Sequence, residues 1–137
     1  ATDSFEAVKA TITNGRQASM PAWGAVLGDE GVNEVAHYVA SLSRADIKEQ
    51  KPELVAAGEA KFQANCVMCH GADAKGNHAF GAPNLTDTTW LYGGDLATIK
   101  ETLVGGRQGK MPAQHERLSP ERIHLLAGYV YGLSQGK

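Results

Sequence analysis

A chain of 137 residues with 42% hydrophobic composition is long enough for one ordinary domain or for two very small ones. Its 13 Lys and Arg residues and 15 Asp and Glu residues give a net charge of -2. There is no basic block of the kind that nucleic-acid binding requires, so we expect no nucleic-acid partner. Because no apolar run approaches the roughly 18 residues that cross a bilayer, we expect this part of the chain to be soluble.

The hydrophobic periodicity is helical, so the sequence predicts an all-α fold with long loops and no strand of useful length. Pro52 and Ser119-Pro120 mark helix starts, because proline fits the first turn and serine caps it. The segment 71–89 is rich in Gly, Asp, Asn and Thr, which is typical of an irregular loop. In chain order, the predicted helices are 5–13, 30–42, 53–65, 95–104 and 120–137.

One motif carries chemistry: the sequence from Cys66 to His70 reads C-V-M-C-H and matches the C-x-x-C-H signature of c-type haem attachment. Two thiols at this spacing form thioethers to the two vinyl groups of one porphyrin, and the next residue places its imidazole at the iron. The sequence therefore predicts one covalently bound haem c, held by Cys66, Cys69 and His70.

Other uses of two cysteines fit this chain less well. A redox-active dithiol is expected beside a βαβ pattern, which the sequence lacks. A structural zinc site needs four ligands, and no second cysteine pair is present. With only two cysteines, three positions apart, no disulfide framework can staple the fold either.

Met111 is the predicted sixth ligand of the iron. It lies 41 positions after His70, is followed by proline, and shares no helical stripe. A thioether is a neutral, soft ligand that raises the reduction potential. The alternative is that Met111 only fills a gap in the core. His78, His115 and His124 are rival ligands, which we expect to face solvent on loops or helix surfaces.

Four further residues are candidates to support the cofactor. Pro83 lies where its carbonyl could accept a hydrogen bond from the second nitrogen of His70, although an ordinary proline turn would look the same. Trp90, Tyr92 and Arg107 are candidates to hydrogen-bond the haem propionates, or they are surface residues.

An internal repeat with an offset of 91 positions organises the chain. The recurrence is ungapped over about thirty residues, which is too long for chance. Gly15-Arg16-Gln17 recurs as Gly106-Arg107-Gln108, Met20-Pro21-Ala22 as Met111-Pro112-Ala113, Glu30 as Glu121, Tyr38-Val39 as Tyr129-Val130, and Leu42-Ser43 as Leu133-Ser134.

The repeat predicts three segments. Residues 1–44 are the truncated back half of a first domain without a haem motif, residues 45–52 are a charged linker, and residues 53–137 are a complete domain with one haem. So short a first segment cannot bury a sufficient core alone. We therefore expect its apolar helix, with Val35, Tyr38, Val39 and Leu42, to dock on the haem domain or on a second chain.

Met20 lies in the first copy at the position of Met111. We expect Met111 to bind the iron within one chain, because its short connection gives it the higher effective concentration. In the alternative, domain exchange brings Met20 of one chain to the haem of another.

Residues 52–137 resemble a class I cytochrome c domain. Gly58 and Phe62 resemble that family's N-terminal helix, Pro83 and Met111 its loop landmarks, and Leu126 with Tyr129 its C-terminal helix. The resemblance implies N- and C-terminal helices that cross beside the haem.

The repeated segments 14–24 and 105–114 are similar to the dihaem subunit III of cbb3-type cytochrome c oxidases. That resemblance implies a location on the periplasmic side of a bacterial inner membrane, other oxidase subunits and a donor cytochrome as partners, and electron transfer toward an oxygen-reducing subunit, with no chemistry of the chain's own. The chain departs from the family in lacking the membrane anchor and the first C-x-x-C-H, so a membrane is expected only through a missing upstream anchor. Two alternatives stay open: a soluble dihaem shuttle cytochrome, and a haem enzyme or gas sensor with an open iron site.

Overall fold

The computed structural model describes residues 4–43 and 51–136. Helix α2 bends at Gly28, which has a φ of 68°. A single 3-10 turn, His78–Phe80, follows α4. The elements in chain order are α1 (Phe5–Asn14), β1 (Arg16–Met20), α2 (Gly24–Ser43), α3 (Pro52–Asn65), α4 (Val67–His70), α5 (Leu96–Gly105), β2 (Arg107–Met111) and α6 (Pro120–Ser134).

The structure is mostly helical, as predicted, and each predicted helix is present with ends shifted by a few residues. The helix predicted over 30–42 is longer, because α2 continues N-terminally through the bend at Gly28. The expectation of no strand is wrong. β1 and β2 pair as a two-stranded sheet, although both are short, polar and largely exposed. Such strands carry no alternating apolar pattern, so the sequence contains no periodic signal for them.

The sequence repeat is also a repeat of structure. α5 begins and ends 91 positions after α1, and β2 does so after β1. Both helices are capped by the equivalent residue, Ser4 for α1 and Asp95 for α5. Gly15 and Gly106 follow the two helices with nearly identical backbone angles, φ 70° and ψ -175° against φ 68° and ψ -176°. Positive φ at both positions favours glycine.

The chain forms two compact units. We call residues 19–108 the motif unit, because they contain the C-x-x-C-H sequence, and residues 1–18 with 109–137 the terminal unit. The chain passes from one unit to the other within β1 and again within β2. This grouping differs from the predicted domains 1–44 and 53–137, which stay a prediction. Of the predicted linker 45–52, all but Lys51 and Pro52 lies outside the described residues.

In the motif unit, α2 packs against α3 and α5. Val35, Ala36 and Phe62 are almost fully buried in this core. The rings of Tyr38 and Phe62 lie 5.2 Å apart between centroids. At Gly58, α3 and α2 approach so closely that a Cβ atom on residue 58 would collide with the carbonyl of Glu34. The apolar helix of the first copy is therefore packed, as expected, on elements that surround the haem motif.

The terminal unit has a smaller core in which α1 packs against α6. Ile12, Ile123 and Ala127 are buried there, and three larger side chains pack around them: Phe5, Val8 and Leu118. Along α6, Leu126, Tyr129, Val130 and Leu133 remain exposed. Among the residues that the structure describes, no helix combines the length and the apolar character needed to span a membrane.

Tyr38 and its repeat counterpart Tyr129 give a matched test of this packing, because their exposed fractions are 8% and 68%. Tyr38→Ala should lower the free energy of unfolding by about 3 kcal/mol, since it leaves a cavity beside Phe62. Tyr129→Ala should stay within about 0.5 kcal/mol of the wild type. Urea denaturation of both variants measures this, and equal losses would contradict the assignment of α2 to the core of the motif unit.

The two equivalent helix caps give a pH-dependent prediction. Hydrogen bonds from the Thr98 hydroxyl and backbone N–H hold the pKa of Asp95 below its usual value. A carboxyl with a lowered pKa in the folded state stabilises the protein above its unfolded pKa and loses that contribution as the pH falls through the folded value. Asp95→Ser keeps a capping oxygen, as Ser4 does in α1, but removes the charge.

We therefore expect the stability difference between wild type and Asp95→Ser to shrink as the pH falls below about 4. Urea denaturation across this pH range measures it. The control, Ser4→Ala, should cause a loss that does not depend on pH. A constant difference between wild type and Asp95→Ser would show that the carboxylate charge does not act at this cap.

Candidate haem attachment site

Helix α3 delivers the chain into the C-x-x-C-H motif. The Cys66 N–H donates to the Phe62 carbonyl at 2.8 Å and ends α3, and the His70 N–H then donates to the Cys66 carbonyl at 2.9 Å. The one-turn helix α4 places Cys66 and Cys69 three positions apart, on the same side of the helix. Both are free thiols, with Cys66 buried and Cys69 partly exposed. The three predicted attachment residues are therefore brought together by local helical geometry.

The surroundings of His70 favour a neutral imidazole. Its side chain is buried, and burial lowers the pKa of the imidazole, against a smaller opposing effect of the bond to Pro83. Its Nδ1 lies 3.3 Å from the Pro83 carbonyl oxygen. Because a carbonyl only accepts, Nδ1 carries the proton of this bond and the lone pair of Nε2 is left for a metal. The structure thus brings Pro83 to His70 as the sequence suggested.

A tight loop positions the Pro83 carbonyl. The Gly76 N–H donates to the His70 carbonyl at 2.8 Å, and the Leu85 N–H donates to the Ala74 carbonyl at 2.8 Å. Gly76 has a φ of 86°, and a Cβ atom there would collide with the carbonyl of Ala82. This loop depends on glycine at position 76, both for its backbone angle and for the close approach.

The Cys66 thiol does not resemble the nucleophile of a redox dithiol. Burial, followed by the proximity of Cys69, raises the pKa of Cys66 to about 11. Reactive thiols of C-x-x-C oxidoreductases have lowered pKa values and sit in electropositive surroundings. The surroundings of Cys66 therefore favour attachment over dithiol exchange.

The three candidates to bind the haem propionates, Trp90, Tyr92 and Arg107, all lie in the motif unit. Arg107 and Tyr92 are in contact, with the guanidinium carbon 4.1 Å from the centre of the ring. Arg107 also donates from Nε to the Thr102 hydroxyl at 2.9 Å and lies 3.8 Å from Glu101. The Nε1 of Trp90 is buried without a hydrogen-bond partner among the described residues. A buried indole N–H needs an acceptor, and a carboxylate of the cofactor would supply one.

The donor set as a whole fits haem c: two free thiols, a neutral imidazole oriented by a carbonyl, and an indole N–H without an acceptor in the described part of the chain. Met68, inside the motif, is 82% exposed. The rival ligands His78, His115 and His124 are all exposed. His115 lies 2.9 Å from the Thr13 carbonyl through Nδ1, and the ring of His124 packs on Phe5.

The two candidate methionines occupy different units. Met111 lies in the terminal unit and is 40% exposed. Met20 lies in the motif unit, partly buried against the core cluster that contains Cys66. Met111 as the sixth ligand stays a prediction. His37, which is buried in α2, was not among the predicted ligands, although the sequence places it on an apolar helix face.

Gly76→Ala should test the loop that holds Pro83. The substitution places a side chain at positive φ against backbone atoms, so we expect the free energy of unfolding to fall by more than about 1 kcal/mol. Gly132→Ala is the control, because a Cβ in this position of α6 meets nothing within 4 Å. It should stabilise the protein by about 0.5 to 1 kcal/mol. Equal effects of the two substitutions in chemical denaturation would show that the loop is not constrained.

Several known proteins are similar in sequence to this chain over most of its length. The subunit CcoP of the cbb3-type cytochrome c oxidase of Rubrivivax gelatinosus is 47% identical over 96% of this chain and 42% of its own length. The subunit FixP of Azorhizobium caulinodans is 46% identical over 90% of this chain and 41% of its own length. FixP of Bradyrhizobium diazoefficiens is 50% identical over 83% of this chain and 38% of its own length.

The chain thus spans about two-fifths of the length of these relatives. The model of the family described as cytochrome c oxidase, cbb3-type, subunit III matches residues 53–130, which include the attachment motif, the Pro83 loop and most of α6. That match covers more than half of the chain, and the chain belongs to the cbb3-type cytochrome c oxidase subunit III family.

Proposed function

We propose that this chain transfers electrons through one haem c, which would be attached covalently at Cys66 and Cys69 and whose iron would be held by His70 and a methionine thioether. The observation that carries the proposal is the orientation of His70, whose Nδ1 faces the Pro83 carbonyl beside two free thiols. When bound, haem c supplies a centre that accepts and releases one electron.

The residues of the chain fix that centre and tune it. The Pro83 carbonyl holds the ring of His70 and its tautomer, as second-shell partners of metal-bound histidines do. Burial keeps His70 neutral, which is the form that coordinates iron. A thioether as the other ligand favours ferrous iron and raises the potential. Trp90, Tyr92 and Arg107 are proposed to bind the propionates, with Trp90 supported by its buried N–H.

The proposed arrangement around the haem is that of a class I cytochrome c, with α3 as the N-terminal helix. A helix does cross α3 closely at Gly58, with Tyr38 packed on Phe62, but it is α2; the predicted C-terminal helix, α6 with Leu126 and Tyr129, packs against α1. Because the relatives are subunits of cbb3-type oxidases, we propose that the chain works on the periplasmic side of a bacterial inner membrane. There it would take electrons from a donor cytochrome and pass them to the oxygen-reducing subunit.

Haem stoichiometry is the first test. The exported protein, analysed by denaturing mass spectrometry, should carry one haem per chain that resists acid-acetone extraction. Replacing Cys66 and Cys69 together with Ser should abolish covalent loading, because a hydroxyl does not form the thioether. Met68→Ala is the matched control within the same motif and should load fully, since Met68 is exposed. Two haems per chain, or none, would refute the proposal.

Ligand binding separates electron transfer from the chemistry of an open iron site. The ferrous protein should not bind carbon monoxide at low concentration, because two axial ligands leave no vacancy. The reduced chain should transfer its electron to the remaining oxidase subunits in a stopped-flow experiment. Tight carbon monoxide binding with no electron transfer would favour a gas sensor or enzyme instead.

A further inference from the structure

Ala74 has an unusual backbone conformation for its residue type. Its φ is 57°, and of the non-glycine residues that the structure describes it alone has a positive φ. Residues with a Cβ atom rarely adopt this region, because the Cβ comes too close to the following carbonyl oxygen. Glycine adopts it without that cost, as Gly71 and Gly76 do in the same loop. The surroundings must therefore hold the alanine in place.

Hydrogen bonds hold the backbone of Ala74 on both sides. Its N–H donates to the Gly71 carbonyl at 3.0 Å, and its carbonyl accepts the Leu85 N–H at 2.8 Å. The following N–H, that of Lys75, donates to the Asp73 carboxylate at 3.2 Å. A residue in a sparsely populated conformation persists only where the structure around it fixes it more than once. These three bonds meet that condition.

The methyl group of Ala74 is packed in the core of the motif unit. Ala74 is 1% exposed and belongs to the same cluster of buried residues as Phe62, Cys66 and Leu85. A buried methyl group stabilises a protein because it fills space and is removed from water. The side chain that makes the backbone angle costly thus also contributes packing beside the attachment motif.

Ala74 connects the two segments that meet at the ring of His70. Gly71, which accepts the N–H of Ala74, directly follows His70, and Leu85, which donates to its carbonyl, lies two positions after Pro83. The Pro83 carbonyl oxygen is 3.3 Å from Nδ1 of His70, just beyond the usual range of about 2.7 to 3.2 Å for such bonds. Small shifts of either segment therefore decide whether this bond is made.

We propose that Ala74 is a positioning residue for His70, and that its buried methyl group and two backbone hydrogen bonds keep the Pro83 carbonyl at Nδ1. The proposal rests on the proposed function, since it concerns a ligand of the same haem. A carbonyl that accepts the Nδ1 proton makes the imidazole a more basic ligand. A more basic ligand favours ferric iron, so Ala74 lowers the reduction potential through this bond.

The test compares the haem-loaded wild type with Ala74→Gly. Glycine accepts the positive φ, but it lacks the methyl group and has a freer backbone, so the loop should hold Pro83 less firmly. We expect the reduction potential to rise in a redox titration. We also expect the Nδ1 proton of His70 to exchange faster with solvent in NMR spectra of the reduced protein. The midpoint of urea denaturation should stay close to that of the wild type, because the relief of strain offsets the lost packing.

Ala127→Gly is the matched control. Ala127 is equally buried, but it lies within α6 in the terminal unit. Its replacement should lower the denaturation midpoint, because a buried methyl group is lost and glycine disfavours a helix. The reduction potential and the exchange of the Nδ1 proton should not change. The two variants thus separate the stability of the chain from the orientation of His70.

Pro83→Ala tests the route of the effect. This substitution keeps the carbonyl but frees the backbone that carries it, so it should also raise the potential. Because Ala74 and Pro83 act on one bond, the shift in the double variant should be smaller than the sum of the two single shifts.

An unchanged potential and exchange rate in Ala74→Gly would overturn the proposal. A lowered potential would do the same, because it would show that the methyl group holds the carbonyl and the imidazole apart. Equal shifts in Ala74→Gly and Ala127→Gly, or additive shifts in the double variant, would also overturn it. Only the absence of covalent haem from the wild type would refute the proposed function itself.

Discussion

The contact between α2 and α3 at Gly58 is the constraint on which the motif unit depends. Because position 58 has no side chain, the backbone of α2 reaches α3 at Glu34 and brings Tyr38 onto Phe62. The ring of Phe62 lies 6.4 Å from that of His70, and its carbonyl accepts the N–H of Cys66. The helix crossing is thus connected through the side chain of Phe62 to His70, the proposed iron ligand, and through one hydrogen bond to the thiol-bearing residue Cys66. Any residue larger than glycine at position 58 would push the helices apart and loosen the support of the whole motif.

Local features of this fold could be predicted from the sequence, because each depends on a few adjacent residues. Caps and prolines mark the helix starts, as Ser119 does for α6, and the motif itself specifies Cys66, Cys69 and His70. The contact of Pro83 with His70 was also predictable, since a metal-bound imidazole needs a partner for its second nitrogen. The pairing of helices could not be predicted in this way. The two copies carry the same Met-Pro-Ala loop and the same glycine, so two pairings satisfy every local pattern equally well.

The positions at which the two copies differ in sequence indicate which of the helices α2 and α6 packs on α3. Glu34 corresponds to Leu125, and only the glutamate has a partner on α3, in Lys61. A buried acidic residue on an apolar helix is costly unless it is paired, so Glu34 indicates which helix belongs on α3. The counterparts of the buried α2 residues Val35, Tyr38 and Val39 are exposed on α6. Among the described residues, α2 therefore buries these positions against other helices, whereas α6 leaves the equivalent positions exposed.

The strands β1 and β2, within which the chain passes from one unit to the other, contribute little to the pairing of the helices. β1 and β2 are polar and mostly exposed, so moving them changes the buried apolar area only slightly. The helix cores, by contrast, bury whole side chains such as Val35 and Phe62, each worth roughly 1.5 to 3 kcal/mol. Because the two strands are alike and the helices α2 and α6 are not, the helices decide the pairing, and α2 packs on α3. The loop that begins at Met20 leads through Trp23 directly into α2 and lies in the motif unit with it.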